Sequence, residues 1–192
     1  MYYPPLGLKE PVLWAEYGRM RTAVAAIAVA LLVVPAALAR DSAPARAHRQ
    51  SALETQLVQR INAVRRSHGL RPLKVSSKLA SAASEHTREM GSDGYFEHES
   101  FDSTPFWKRV GRWYTSRGWR SWSVGENLLY RSPDVTAGSG IEMWMNSPPH
   151  RANLLSRSWR EIGISAIHFD AAPGAYNGSA VTIVTADFGA RR

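Results

Sequence analysis

The sequence predicts an α+β fold, and three observations carry that reading. Apolar residues recur at three- and four-residue spacing in four segments between residues 51 and 147, the period of an amphipathic helix. Alternating or β-branched runs fall after residue 120, as expected of half-buried strands. The segment Asp170 to Gly178 carries Pro173, Gly174 and Asn177-Gly178, residues that turn one strand back beside the next in an antiparallel pair. Helices first and strands last argue against a parallel doubly wound sheet, which needs the two to alternate.

One stretch reads as a targeting signal rather than as part of the fold. Met20-Arg21 precede an uncharged run from Thr22 to Val34, Pro35 breaks it, and Ala37-Leu38-Ala39 forms a small-x-small cleavage pattern. Residues 20–39 are therefore expected to be a signal peptide, and the protein to be secreted or held in the cell envelope. A membrane anchor over residues 22–39 is the alternative, because the stretch approaches the roughly 20 apolar residues of a span. Met1 to Arg19, with Tyr2, Pro4, Pro5, Glu10 and Glu16, do not resemble a basic leader, so Met20 is the expected start of translation. Residues 40–50, rich in Ala, Arg and Ser, read as a linker. Residues 51–192 remain as one domain.

The domain is expected to open at Ser51, where Ser51-Ala52-Leu53-Glu54 fits a capping box. Leu53, Leu57, Ile61 and Val64 follow at helical spacing, and Gly69 can close the helix. A second helix starts at Ser76 or Ser77, buries Leu79, Ala82, Ala83, His86 and Met90, and ends at Gly91 or Gly94. Thr104-Pro105 announces a third, with Pro at the first helical position. It carries Phe106, Val110, Trp113 and Tyr114 and stops near Gly118. Ser132-Pro133 is expected to start a fourth, which holds Ile141, Trp144 and Met145 and ends at Pro148-Pro149. About three strands complete the set, at Val124 to Tyr130, Ile162 to Phe169 and Ala180 to Ala186.

Composition narrows the function classes. An apolar fraction of 44% with seven Trp, seven Tyr and five Phe is enough for a packed core. There is no Cys, so neither a disulfide framework nor a lipid-modified N-terminal cysteine is available. The 24 basic residues outnumber 16 acidic ones, a net charge of +8. That excess favours anionic lipid headgroups or wall polymers, although it also serves plain solubility. No Lys/Arg block interleaved with aromatic residues gives a nucleic-acid footprint.

Three polar clusters stand out: Tyr95-Phe96-Glu97-His98, Gly125-Glu126-Asn127-Leu128, and Ser147-Pro148-Pro149-His150-Arg151-Ala152-Asn153-Leu154-Leu155. An aromatic pair before a His is followed by Gly-Glu-Asn and then by Trp-x-x-Ser-Pro-x-His-Arg-x-Asn-x-Leu. Ile162-Gly163-Ile164 comes next, then a strand ending Asp187-Phe188-Gly189. In this order they resemble the bacterial, cysteine-free branch of the superfamily of cysteine-rich secretory, antigen five and pathogenesis-related proteins. The likeness runs from about Leu53 to Gly189.

The resemblance implies a three-layer α-β-α sandwich around a small, mainly antiparallel sheet. It also implies a cleft of two His and two acidic residues that binds a divalent cation in some members. By motif the histidines are His98 and His150 and one acid is Glu126. The fourth position, a Glu three residues after the helix Trp in eukaryotic members, is Ser147 here, which leaves a hydroxyl or a bound water to fill it. Glu142 precedes Trp144 by two residues, roughly 200° around the helix, and is expected to face solvent. Two imidazoles and one carboxylate form a ligand set for zinc or another divalent cation. The same residues could equally form a buried His–Glu hydrogen-bond network without metal. Their spacings of 28 and 24 residues encode nothing local.

Around them, Asn127 and Asn153 are expected to brace turns, and Arg151 to pair with a carboxylate or a ligand phosphate. His86 reads as a satisfied core or cleft-edge histidine. Ser147 with His150 could pair a nucleophile with a base, but Ser147 more simply ends a helix. Trp107, Trp113, Trp119 and Trp122 read mostly as core, while an exposed pair would touch a membrane surface or a glycan. The expected function is a secreted binding module for a lipid or anionic cell-envelope component. A metal-dependent hydrolase using His98, Glu126 and His150 on peptide or envelope substrates is the alternative.

Overall fold

The computed structural model describes residues 42–192, with side chains from Ala52 onward. The expected leader over residues 1–19 and the signal peptide or anchor over residues 20–39 lie outside the described residues. Among those described, no helix is long and apolar enough to cross a membrane.

The fold is the expected α+β sandwich, with five helices and four strands among the described residues. In chain order these are α1 (Ser42–Ser67), β1 (Lys74–Val75), α2 (Ser77–Asp93), α3 (Phe106–Trp113), β2 (Trp122–Arg131), α4 (Ala137–Asn146), α5 (Pro148–Leu154), β3 (Glu161–Ala172) and β4 (Ser179–Arg191). The sheet order is β1-β3-β4-β2. The β3/β4 and β2/β4 pairs are antiparallel and the short β1 runs parallel to β3. A 3-10 turn at Gly174–Tyr176 and a left-handed Asn177 lie in the β3–β4 connection.

Strand alternation divides the core into two layers. On β4, Val184, Ala186 and Phe188 pack with Leu57 and Ile61 of α1, Trp144 of α4 and Leu154 of α5. Val181 and Ile183 face the other way, toward Met90 of α2. Leu79 and Ala82 of α2 meet Val110 of α3 beside them. So α1, α4 and α5 cover one face and α2 and α3 the other. Thr87 and Thr185, both fully buried, bond through their hydroxyls at 2.9 Å and tie α2 to β4.

The cap residues locate α2 as expected. Ser76 accepts from the Leu79 amide, and left-handed Gly94 closes the last turn. Four boundaries differ. Helix α1 begins at Ser42, not Ser51, so residues 42–50 are helical rather than a linker; Ala and Arg propagate a helix well, and Pro44 sits in its first turn, where no amide is needed. Helix α3 starts at Phe106 with Pro105 as its cap and ends at Trp113, short of Gly118. Helix α4 starts not at Ser132-Pro133 but at Thr136, which forms a reciprocal capping box with Ser139. Pro148-Pro149 both stop α4 and occupy the first turn of α5. The fourth strand, β1, has two exposed residues and therefore no alternation by which to be recognised.

Helix α2 lies hard against β3 at one glycine. A Cβ on Gly163 would stand 2.0 Å from the Ala80 nitrogen and 2.2 Å from the Leu79 carbonyl carbon, main-chain atoms that a rotamer change cannot clear. Gly163→Ala is expected to cost about 3 kcal/mol or more, read as a lowered midpoint in thermal or urea unfolding.

Candidate functional site

Glu126 lies on β2 with its carboxylate 1% exposed and turned to the α2/α3 face. Its Oε1 accepts from Nδ1 of His98 at 2.8 Å, and its Oε2 accepts from the Arg109 guanidinium, which is fully buried. Arg109 also donates to the main-chain oxygen of His98 at 2.9 Å. His86 shares a hydrogen bond through Nε2 with the Glu97 carbonyl at 2.9 Å. The loop after α2 is thus pinned at consecutive residues, and the His98 side chain, 46% exposed, is aimed from it.

The other wall comes from α4 and α5, which dock on β2 through side-chain amides and indoles. Trp144 Nε1 donates to the Leu128 carbonyl at 3.0 Å. Asn153 Nδ2 donates to the Glu126 carbonyl at 3.1 Å and to Asn127 Oδ1 at 2.9 Å. Asn127 Nδ2 in turn donates to the His150 carbonyl at 3.0 Å. A Cβ on Gly125 would stand 2.7 Å from the Trp159 ring and 2.9 Å from Asn153 Oδ1, so glycine is what admits this docking. Each residue of Gly125-Glu126-Asn127 therefore has its own partner. The ring of His150 shares a 2.8 Å hydrogen bond between Nδ1 and Ser147 Oγ.

Behind Glu126 sits Asp187, its partner across β2 and β4 and fully buried. Neither Asp187 oxygen receives a hydrogen bond among the described residues, and Arg109 Nε is also without an acceptor. Burial first, and then the charge of Glu126, push the Asp187 carboxyl well above the usual carboxylate range, with Arg109 pulling the other way. Burial also works against the Glu126 carboxylate, but the His98 hydrogen bond and the Arg109 charge outweigh it and hold this group low. One guanidinium thus balances one carboxylate, and Asp187 is left without a charge partner of its own. Burial lowers His86, and lowers His150 with help from the neighbouring charge of His98.

His98, Glu126 and His150 thus share one region, but not as three ligands of one ion. Glu126 bonds the Nδ1 edge of His98, while Nε2 is the edge left outward; a carboxylate placed so orients the ring instead of sharing its metal. Among the described residues no three His, Asp or Glu side chains group as a metal site. The residues present do not fit the implied centre. Ser147, at the fourth position, is taken by His150. Arg151 and Glu142 are exposed, and Arg151 makes no side-chain ion pair among the described residues.

The profile of the cysteine-rich secretory protein (CAP) family matches residues 58–187. The chain belongs to this family. Bacillus subtilis YkwD is 30% identical over 117 residues, 61% of this chain and 43% of that protein. The B. subtilis membrane protein YlbC is 29% identical over 115 residues, 60% of this chain and 32% of that protein. The chain therefore spans less than half the length of either. Among solved structures, an extracellular SCP-domain protein of Bacillus anthracis superposes with a TM-score of 0.60 at 23% identity, covering 77% of this chain and 43% of that one. An outer surface protein of Borrelia burgdorferi does so at 0.56 and 21%, covering 71% of this chain and 90% of its own.

Within this CAP domain, sequence reasoning missed Arg109 and Asp187. Arg109 stands on a short helix among exposed basic residues, with no motif around it. Asp187 enters the sequence pattern only as part of the Asp-Phe-Gly ending. Its place on the face of β4 opposite to Phe188 is the signal that could have found it. The tryptophans also differ from expectation. Trp107, Trp113 and Trp119 are 47%, 42% and 48% exposed; the first two lie on α3, which turns Arg109 and Val110 inward instead.

Because Asp187 binds its proton more tightly folded than unfolded, its contribution is fully present below the unfolded value near 4 and lost as pH rises above it. Asp187→Asn, which mimics the protonated group, is expected to exceed wild type in stability by about 1 kcal/mol or more at pH 7. The gain should shrink as pH approaches 4, as read by urea unfolding across that range.

Proposed function

We propose that this protein is an exported binding module that takes a lipid or anionic cell-envelope ligand beside His98 and His150. The observation that carries this reading is the fixed, half-exposed imidazole of His98. A buried carboxylate holds its Nδ1 edge, so its Nε2 edge is the polar point offered to a ligand. An aromatic ring flanks it: the Phe106 ring lies 6.2 Å from the His98 ring. A polar anchor on an aromatic margin suits a ligand with a polar head and an apolar body. An open groove of about 480 Å³ lined by Ser81, Ser84, Glu85, Arg88 and Trp113 shares none of these residues.

Surface contact is a separate part of the same reading. Exposed Trp107, Trp113 and Trp119 stand among exposed Lys108, Arg112, Arg117 and Arg120, with Lys108 over the Trp107 ring. Indole and cation together favour the interface of an anionic membrane. The descriptions of two similar structures as an extracellular protein and an outer surface protein support an exported location.

A hydrolase keeps one supporting observation, the 2.8 Å contact of Ser147 Oγ with His150 Nδ1, a reach that suits a nucleophile and its base. No carboxylate orients the far nitrogen of His150 among the described residues. The binding reading is preferred.

Co-sedimentation of the exported protein with phosphatidylglycerol vesicles is expected, and should weaken as salt shortens the Debye length from about 10 Å to about 3 Å. Replacing Trp107, Trp113 and Trp119 by Ala should reduce it roughly tenfold, the effect of about 1.4 kcal/mol. Organic extracts of wild type are expected to contain a lipid or envelope fragment that His98→Ala loses. Finding neither vesicle binding nor an extractable ligand would sink the proposal. Cleavage of an ester or peptide panel by wild type, and not by Ser147→Ala, would favour the hydrolase instead.

A further inference from the structure

A second constellation of side chains lies away from the candidate site, on the outer face of α2. Ser81, Ser84, Glu85 and Arg88 stand three and four residues apart and so form one stripe of that helix. The opposite stripe, through Leu79, Ala82 and His86, is buried. With Trp113, the last residue of α3, the outer stripe lines the open groove of about 480 Å³, a size within the roughly 300–1,000 Å³ of small-ligand sites. The indole is fixed there. Glu85 accepts from Trp113 Nε1 through one carboxylate oxygen and from the Arg112 guanidinium through the other. Trp113 is thus gripped by its polar edge and offers its ring face. Trp107 and Trp119 make no side-chain hydrogen bond among the described residues; each instead has a cation over its ring, Lys108 and Arg191.

What the groove leaves over is a set of donors. Ser81, Ser84 and Arg88 make no side-chain hydrogen bond or ion pair among the described residues. Arg88 acts on Glu54 through its charge alone, because that carboxylate accepts the Ala166 amide. Arg112 is neutralised by Glu85, and Arg88 is not. A hydrocarbon chain laid in the groove would strip water from these donors and give nothing back. A sugar ring carrying a carboxylate satisfies them: its C–H face lies on the indole, its hydroxyls meet the serines, and the guanidinium takes the carboxylate in a two-pronged bond. We propose that this groove is a second binding site, for a carboxylate-bearing pyranose unit of an acidic glycan. It goes beyond the ligand proposed beside His98 and His150 and shares no residue with that region.

The test follows the indole Nε1–H signals by nitrogen-15 resonance while trigalacturonate is added to the protein, with its methyl ester as the uncharged control. The Trp113 signal and the Ser84 amide are expected to shift with the acid at millimolar concentration, while the Trp107 and Trp119 signals stay in place. Arg88→Gln should weaken binding of the acid about tenfold, the worth of one charge-assisted hydrogen bond, and bring it level with the ester. Trp113→Ala should abolish binding of both. His98→Ala should bind the acid as wild type does, which separates this groove from the ligand proposed beside that ring. A Trp113 signal indifferent to the acid would overturn the proposal. So would equal affinity of wild type for acid and ester, or undiminished binding by Arg88→Gln, whatever the vesicle and extraction experiments give. Should Trp113→Ala fail to fold, the exposed Arg88→Gln change still decides.

Discussion

One buried carboxylate organises the fold around the site. Glu126 stands on the sheet's outer strand, yet its side chain is removed from water and held by Arg109 from α3 and His98 from the loop after α2. Its main-chain carbonyl is held from the opposite face by Asn153 of α5. Segments distant along the chain therefore meet at a single residue. Breaking a buried pair of this kind costs about 3–5 kcal/mol, because the charge left behind has no water to turn to. For a chain of this size that is a large share of total stability.

The two motifs most visible in the sequence are two halves of one interface. Asn153 donates its amide to Asn127 between α5 and β2, Asn127 reaches the His150 carbonyl, and Gly125 leaves room for Trp159. Their spacing along the chain says nothing of this, since hydrogen bonds to main-chain carbonyls leave no periodicity. The motifs instead mark where α4 and α5 dock, and the same docking sets His150 near His98. The polar residues that build the cleft wall are therefore also those that fasten it.

How much could be read from the sequence depended on whether a signal was local. Ser76 and Gly94 bound α2 as expected because caps act through neighbouring amides, and the β3–β4 turn followed from Gly174 and Asn177-Gly178. His98, Glu126 and His150 come from resemblance, and His98 and Glu126 do meet. What was not legible depended on tertiary partners. The start of α4 moved to Thr136, where a hydroxyl exchange with Ser139 outcompetes the Ser132-Pro133 signal. Two-residue β1 exists only because β3 offers it an edge. Arg109 looks in sequence like one more surface arginine beside Lys108 and Arg112, and only the burial of α3's inner face shows it to be otherwise. With it, the metal triad implied by resemblance becomes an ion pair with an oriented imidazole.

Both margins of the sheet are closed by side chains. On β2, Trp144 and Asn153 cover the Leu128 and Glu126 carbonyls. On β3, beyond the short reach of β1, Glu54 accepts the Ala166 amide at 3.0 Å. An uncovered strand invites a neighbouring molecule to extend the sheet, and a chain without cysteine has no covalent brake on such growth. Stoppering these positions from within gives the domain a means of staying unaggregated when crowded.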